Sequence, residues 1–213
     1  MDAIEVKKII KKEKLVPILR IQKSDKIMDI VDAVVGAKSK ILELTMTING
    51  ILPYISKIKS KYPDLVLGLG TVFSIKDAEE AIKQGIDFIV SPILNHEIVN
   101  IVKSHNKMLM LSGFTPTEIY NAYKAGADIV KLFPATEMSP TFIKEIKGPM
   151  PYLDIFPTGG LNLISAIQFL SCGALAVGIG SAIFKPEWIE TGKFEDIFAS
   201  MGNAIRRIRN MAI

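Results

Sequence analysis

The strongest constraint on the fold is a repeat. A stretch with helical periodicity, a glycine and a short apolar run recur in that order roughly every 20 to 26 residues, as in "VVGAKSKILEL", "KQGIDFIVS", "KAGADIVKL" and "SCGALAVGI". Eight apolar runs read as strands: 15–20, 40–45, 64–70, 87–91, 107–112, 128–133, 154–158 and 174–180. Helix starts are marked as well. In "TPTE", Thr115 can cap, Pro116 suits the first helical position and Glu118 closes a capping box; "SPTF" from Ser139 predicts the same start. Gly36, Gly85, Gly126 and Gly173 are the expected left-handed residues at helix ends.

Strict strand–helix alternation implies a parallel sheet. Eight strands with no polar linker and no break in composition predict a closed (β/α)8 TIM barrel spanning residues 1–213 as a single domain. An open doubly wound sheet is the alternative. It would usually carry a glycine-rich fingerprint after its first strand, and "ILRIQKSD" has no glycine.

The 213 residues, 49% apolar and 23% charged, supply a core large enough for one such domain. A single cysteine, Cys172, leaves no internal disulfide and reads as an inert packed thiol. The opening "MDAIEVKKIIKKEK" lacks the basic-then-apolar order of a secretory leader, and no apolar run is long enough for a membrane span, so a cytoplasmic protein without membrane partners is expected. The net charge of +4 gathers in "KKIIKKEK" and "RRIRNM", where isoleucines at helical spacing indicate solvated helix faces, the first forming an extra N-terminal helix. Neither run carries an aromatic residue, which argues against nucleic acid as a partner. His96 and His105 stand apart from each other with no Cys or His nearby, so no metal site is expected.

In a barrel, chemistry gathers at the C-terminal ends of the strands. Arg20, Glu43, Thr45, Thr71, Ser91-Pro92, Lys131, Thr158 and Ser181 all fall there. "DIVKLF" poses the sharpest question, because it sets a lysine near the end of a buried strand and an unpaired buried ammonium is costly. Alternation places residues 41, 43 and 45 on one face and the leucines between them on the other, so Glu43 is expected inside the barrel. The same parity groups Ile129, Lys131 and Phe133. The two charges are thus expected to share an upper interior layer, as a buried salt bridge or as reacting groups. "FPTGGLN" and "VGIGSAIF" put Thr158, Gly159, Gly160, Gly178, Gly180 and Ser181 on the last two loops, where barrels often hold phosphate on backbone N–H groups.

Together these pieces resemble the 2-keto-3-deoxy-6-phosphogluconate aldolases, a family that includes 4-hydroxy-2-oxoglutarate aldolase activity. The matching segments are "LELT", "GLGTV", "IVSP", "KLFPA", "FPTGG" and "GIGSA", in order between about residues 15 and 185. The resemblance implies a class I aldolase, a carbon–carbon lyase of the Entner–Doudoroff pathway, homotrimeric and needing no metal or other cofactor. It implies that Lys131 forms the Schiff base and Glu43 shuttles protons. Thr71 would help bind the pyruvate half, with Pro92 and Phe133 beside it, and Thr158, Gly159, Gly160, Gly180 and Ser181 would hold the phosphate. The substrate so implied is a phosphorylated 2-keto-3-deoxy sugar acid.

One position departs from the pattern. Many members have an arginine four residues after the glutamate, where this chain has Thr47. A threonine cannot make a bidentate pair with a carboxylate, and Arg20 is the candidate to replace that charge. A lysine with an ordinary pKa near 10.4 has only about one amine in 2,500 neutral at pH 7, so desolvation is expected to lower it against the opposing pull of Glu43. A phosphogalactonate-specific aldolase, a phosphosugar isomerase or epimerase on the same barrel, and a non-catalytic phosphosugar-binding protein are the alternatives.

Overall fold

The computed structural model describes residues 1–211. The strands are β1 (Leu15–Leu19), β2 (Ile41–Thr45), β3 (Val66–Gly70), β4 (Phe88–Val90), β5 (Met108–Gly113), β6 (Ile129–Leu132), β7 (Ile155–Pro157) and β8 (Val177–Ile179). Each lies within one of the eight apolar runs of the sequence, extended at β5 by Gly113. All pair in parallel, in the order β7-β6-β5-β4-β3-β2-β1-β8. An isolated bridge between Thr158 and Gly178 joins β7 to β8 and closes the ring. The architecture is a (β/α)8 barrel.

The helices are α1 (Ala3–Glu13), α2 (Ile27–Gly36), α3 (Leu52–Lys61), α4 (Ile75–Lys83), α5 (Glu97–Ser104), α6 (Pro116–Lys124), α7 (Phe142–Lys147), α8 (Leu163–Ser171), α9 (Pro186–Glu190) and α10 (Phe194–Arg209). The alternation of the strands splits the core in two. Leu42, Leu44, Leu67 and Leu69 face the helices, whereas Val16, Ile41, Val66, Phe88, Met108, Met110 and Ile129 fill the interior. The extra helix α1 contributes Val6 and Ile10 to that interior cluster, and so covers the N-terminal mouth of the barrel. Burying each of those side chains stabilises the fold by about 1.5–3 kcal/mol. On that helix Lys8, Lys11 and Lys12 are exposed, whereas Lys7 donates to the Asp128 carbonyl at 2.8 Å and pairs with Asp154 at 2.7 Å.

The repeat has a structural counterpart at strand entrances. Asp87, before β4, accepts from the Leu67 amide at 2.9 Å and from Lys59 Nζ at 2.7 Å. Asp128, before β6, accepts from the Leu109 amide at 2.8 Å and from Lys103 Nζ at 2.6 Å. Each carboxylate thus satisfies an amide of the preceding strand and pins the helix that leads into that strand, α3 or α5.

The capping box at α6 forms as the sequence predicts. Two other boundaries differ. Helix α7 starts at Phe142, because the Ser139 hydroxyl pairs with Thr141 Oγ1 at 2.9 Å instead of reaching a third helical amide. Gly85, Gly126 and Gly173 have positive φ, but Gly36 does not; the left-handed residue after α2 is Lys38, at φ 66°. Cys172 sits half-buried at the end of α8, and His96 and His105 flank α5. Among the described residues no helix is long and apolar enough to cross a membrane.

Candidate active site

A cavity of about 310 Å³ opens at the C-terminal mouth of the barrel. Lys131 and Glu43 lie on its wall, delivered from opposite sides by β6 and β2. Lys131 is 4% exposed and Glu43 1%. Burial holds the Lys131 pKa below the ordinary lysine value; the Glu43 carboxylate opposes this and the Arg20 guanidinium adds to it. Burial also pushes Glu43 above the usual carboxylate range, against the pull of Lys131 and then Arg20. Burial thus works against the charged form of each group, and the partner's charge works for it. No ion pair within 4.0 Å joins them, so the arrangement differs from a buried salt bridge. The Lys131 Nζ instead lies 5.0 Å from the centre of the Phe133 ring, whose face offers a protonated amine a weak attraction.

Glu43 reaches this place because β3 leaves room for it. A methyl group at Gly70 would stand 2.0 Å from Glu43 Oε1, and one at Gly68 would stand 2.0 Å from the Phe88 ring. The other carboxyl oxygen, Oε2, is buried without a hydrogen-bond partner. Leaving such an atom unpaired costs about 1–3 kcal/mol, which is the kind of expense that functional sites carry.

Across the cavity, Thr158, Gly159 and Gly160 follow β7 and Gly180 and Ser181 follow β8. Gly159 and Gly160 have φ of 101° and 69°, and a side chain at Gly160 would meet Thr136 at 2.5 Å. Among the described residues, the N–H groups of Gly159, Gly160 and Ser181 donate to no protein acceptor. Free amides converging on a cavity form an anion cradle. The first amides of α8 take no part, since Asn162 Oδ1 already accepts from Ile164 and Ser165.

Arg20 leaves the end of β1 and lines the cavity, its guanidinium donating to Thr71 Oγ1 at 3.3 Å. Thr71 holds a left-handed backbone at φ 64°, a conformation that costs a non-glycine residue about 1–2 kcal/mol. Thr71, Thr47 and Pro92 do not line the cavity; Thr47 instead pairs with Thr45 Oγ1 at 2.8 Å. Four lining residues escaped sequence reasoning: Ile18, Leu161, Phe184 and Pro186. All are apolar and carry no chemical signature. Ile18 alone had a usable signal, its inward parity on β1 one residue short of Leu19 and two short of Arg20. Among the described residues no three His, Cys, Asp or Glu side chains gather as a metal site would require.

Comparison with known proteins gives the class first: the chain is an aldolase, a carbon–carbon lyase. More narrowly, the model of the KDPG and KHG aldolases matches residues 6–200, and the chain belongs to that family. The 2-dehydro-3-deoxy-phosphogluconate aldolase of Haemophilus influenzae is 26% identical over 196 residues, 92% of this chain and 91% of that one. The 2-dehydro-3-deoxy-6-phosphogalactonate aldolase of Escherichia coli is 27% identical over 173 residues, 80% and 84% of the two chains. In fold, a KDPG aldolase of Legionella pneumophila, holding pyruvate captured at low pH as a covalent carbinolamine, superposes with a TM-score of 0.86 at 21% identity, over 93% and 97% of the chains.

Proposed function

We propose that this protein cleaves 2-dehydro-3-deoxy-6-phosphogluconate to pyruvate and D-glyceraldehyde 3-phosphate through an imine on Lys131. The observation that carries this reading is the amine itself: buried, kept off the ion pair, and depressed in pKa at the rim of a cavity. Desolvation of this kind raises the share of neutral, nucleophilic amine.

The steps follow from the arrangement. Neutral Lys131 attacks the C2 ketone, and Glu43 as its acid protonates the oxygen, so that the carbinolamine loses water and becomes an iminium. Glu43, now a carboxylate, takes the proton of the C4 hydroxyl. The C3–C4 bond breaks, its electrons pass to the iminium as an enamine, and glyceraldehyde 3-phosphate leaves. Glu43 returns its proton to C3, and water hydrolyses the imine to release pyruvate and the free amine. One carboxyl group serves each transfer because every step restores the state that the next one needs. The iminium nitrogen is the electron sink, so this route calls on no metal and no cofactor.

In this reading the amides of Gly159, Gly160 and Ser181, with Thr158 and Gly180, hold the phosphate, and Phe133 shields the amine. Arg20 takes the substrate carboxylate in place of the arginine absent at Thr47, after exchanging its bond to Thr71. The proposal extends to a cytoplasmic homotrimer acting in the Entner–Doudoroff pathway, which rests on the family resemblance; a solution mass of three chains by light scattering is expected.

The epimer is the open choice of substrate, since the gluconate and galactonate relatives are similarly distant in sequence. Pyruvate release, followed with lactate dehydrogenase, tests the reading on both epimers and on unphosphorylated 4-hydroxy-2-oxoglutarate. The gluconate epimer is expected to be fastest, and Arg20→Ala to raise KM about tenfold or more, as loss of a charged hydrogen bond does. No pyruvate from any of the three, with isomerisation of a phosphosugar instead, would overturn it.

A further inference from the structure

Lys131 has a neighbour that the reaction above leaves unused. Ser112 on β5 is the register partner of Lys131 on β6. Met108 and Met110, four and two residues before it, belong to the interior cluster, so alternation turns Ser112 inward as well. Ile129 does the same for Lys131. Neighbouring strands lie about 4.8 Å apart, so inward side chains at one register position adjoin each other.

Ser112 is 4% exposed, and its hydroxyl donates to the Ser91 carbonyl at 2.8 Å. Ser91 follows β4, on the side of β5 away from β6. The bond therefore draws the hydroxyl proton away from Lys131 and leaves the oxygen as an acceptor with unused lone pairs. On its other side Lys131 is the register partner of Phe156 on β7, and its nitrogen lies over the Phe133 ring; neither side chain titrates. The charged groups acting on the amine are Glu43 from β2 and Arg20 from β1.

We propose that Ser112 is a positioning residue for Lys131, its oxygen accepting a hydrogen bond from the lysine nitrogen and orienting that nitrogen toward the substrate carbonyl. The nitrogen can donate as the ammonium, the neutral amine or the carbinolamine, and the ammonium makes the strongest of these bonds. The inference rests on Lys131 being the nucleophile. It adds a directional constraint to a side chain that otherwise turns about four single bonds.

The test is the rate of pyruvate trapping by borohydride, followed against pH in the whole protein. An acceptor favours the protonated amine, so Ser112→Ala is expected to lower the midpoint of the profile by about half a pH unit or more. The alkaline plateau, where the amine is fully neutral, is expected to fall about three- to tenfold as orientation is lost. Ser112→Cys keeps the volume with a weaker acceptor, and a smaller shift in the same direction is expected; it decides the matter if the alanine variant does not fold. A midpoint and plateau equal to those of the unaltered protein, whatever the change in melting temperature, would overturn the proposal. Failure of the unaltered protein to trap pyruvate would instead remove the reading of Lys131 itself, and that outcome is seen before any variant is made.

Discussion

Glu43 and Lys131 each sit where burial works against their usual charge, and each is the other's main compensation. Stability alone gives no reason for this, since a buried pair is a weak stabiliser even when it closes into a salt bridge, and this one does not. The consequence for pH is definite in sign. Burial lowers the Lys131 pKa and the Glu43 charge raises it. Glu43→Gln removes the upward push, so the amine should titrate at still lower pH in the variant. Turnover should nevertheless fall by about 10²–10⁴, the usual contribution of a positioned acid–base group. Trapping and turnover measured on one preparation separate the two effects. A turnover within twofold of the unaltered protein, or a midpoint moving upward, would contradict the role assigned to Glu43.

Strand β3 shows how one element serves both core and chemistry. Its inward positions alternate Val66, Gly68 and Gly70, and the two glycines make room for different things: Gly68 for the Phe88 ring, Gly70 for the Glu43 carboxyl group. Alanine at either site overpacks the interior and should cost about 1–3 kcal/mol of stability by chemical denaturation. Only Gly70→Ala displaces the proton shuttle, so turnover should drop tenfold or more there and change little in Gly68→Ala. Equal activities in the two variants would show that the carboxyl position is not critical. Strands such as "DFIVS" and "DIVKL" were legible because each follows a helix-ending glycine, Gly85 and Gly126, that does take the left-handed turn. Gly36 misled because Lys38, which no pattern marks, takes the left-handed turn. The apolar cavity wall from Phe184 and Pro186 was invisible for a different reason: it depends on which loops fold over the mouth, a tertiary fact with no local signal.

At the scale of the molecule, barrel closure is what brings the parts of the site together. The amine comes from β6, the acid from β2, and the anion cradle from the loops after β7 and β8. The seam between those last two strands is the bridge of Thr158 to Gly178, where a side chain at Gly178 would stand 2.6 Å from Thr158 Oγ1 and 2.7 Å from Ile18. Close approach at the seam thus sets the cradle next to Lys131. The central claim is that this closed ring turns one lysine into a carbonyl nucleophile. Incubation with pyruvate and borohydride, followed by peptide mass analysis, tests it most directly. A reduced pyruvyl adduct on Lys131 alone, absent from Lys131→Ala, is the result the account predicts; no adduct, or one on another lysine that persists in the variant, would contradict it.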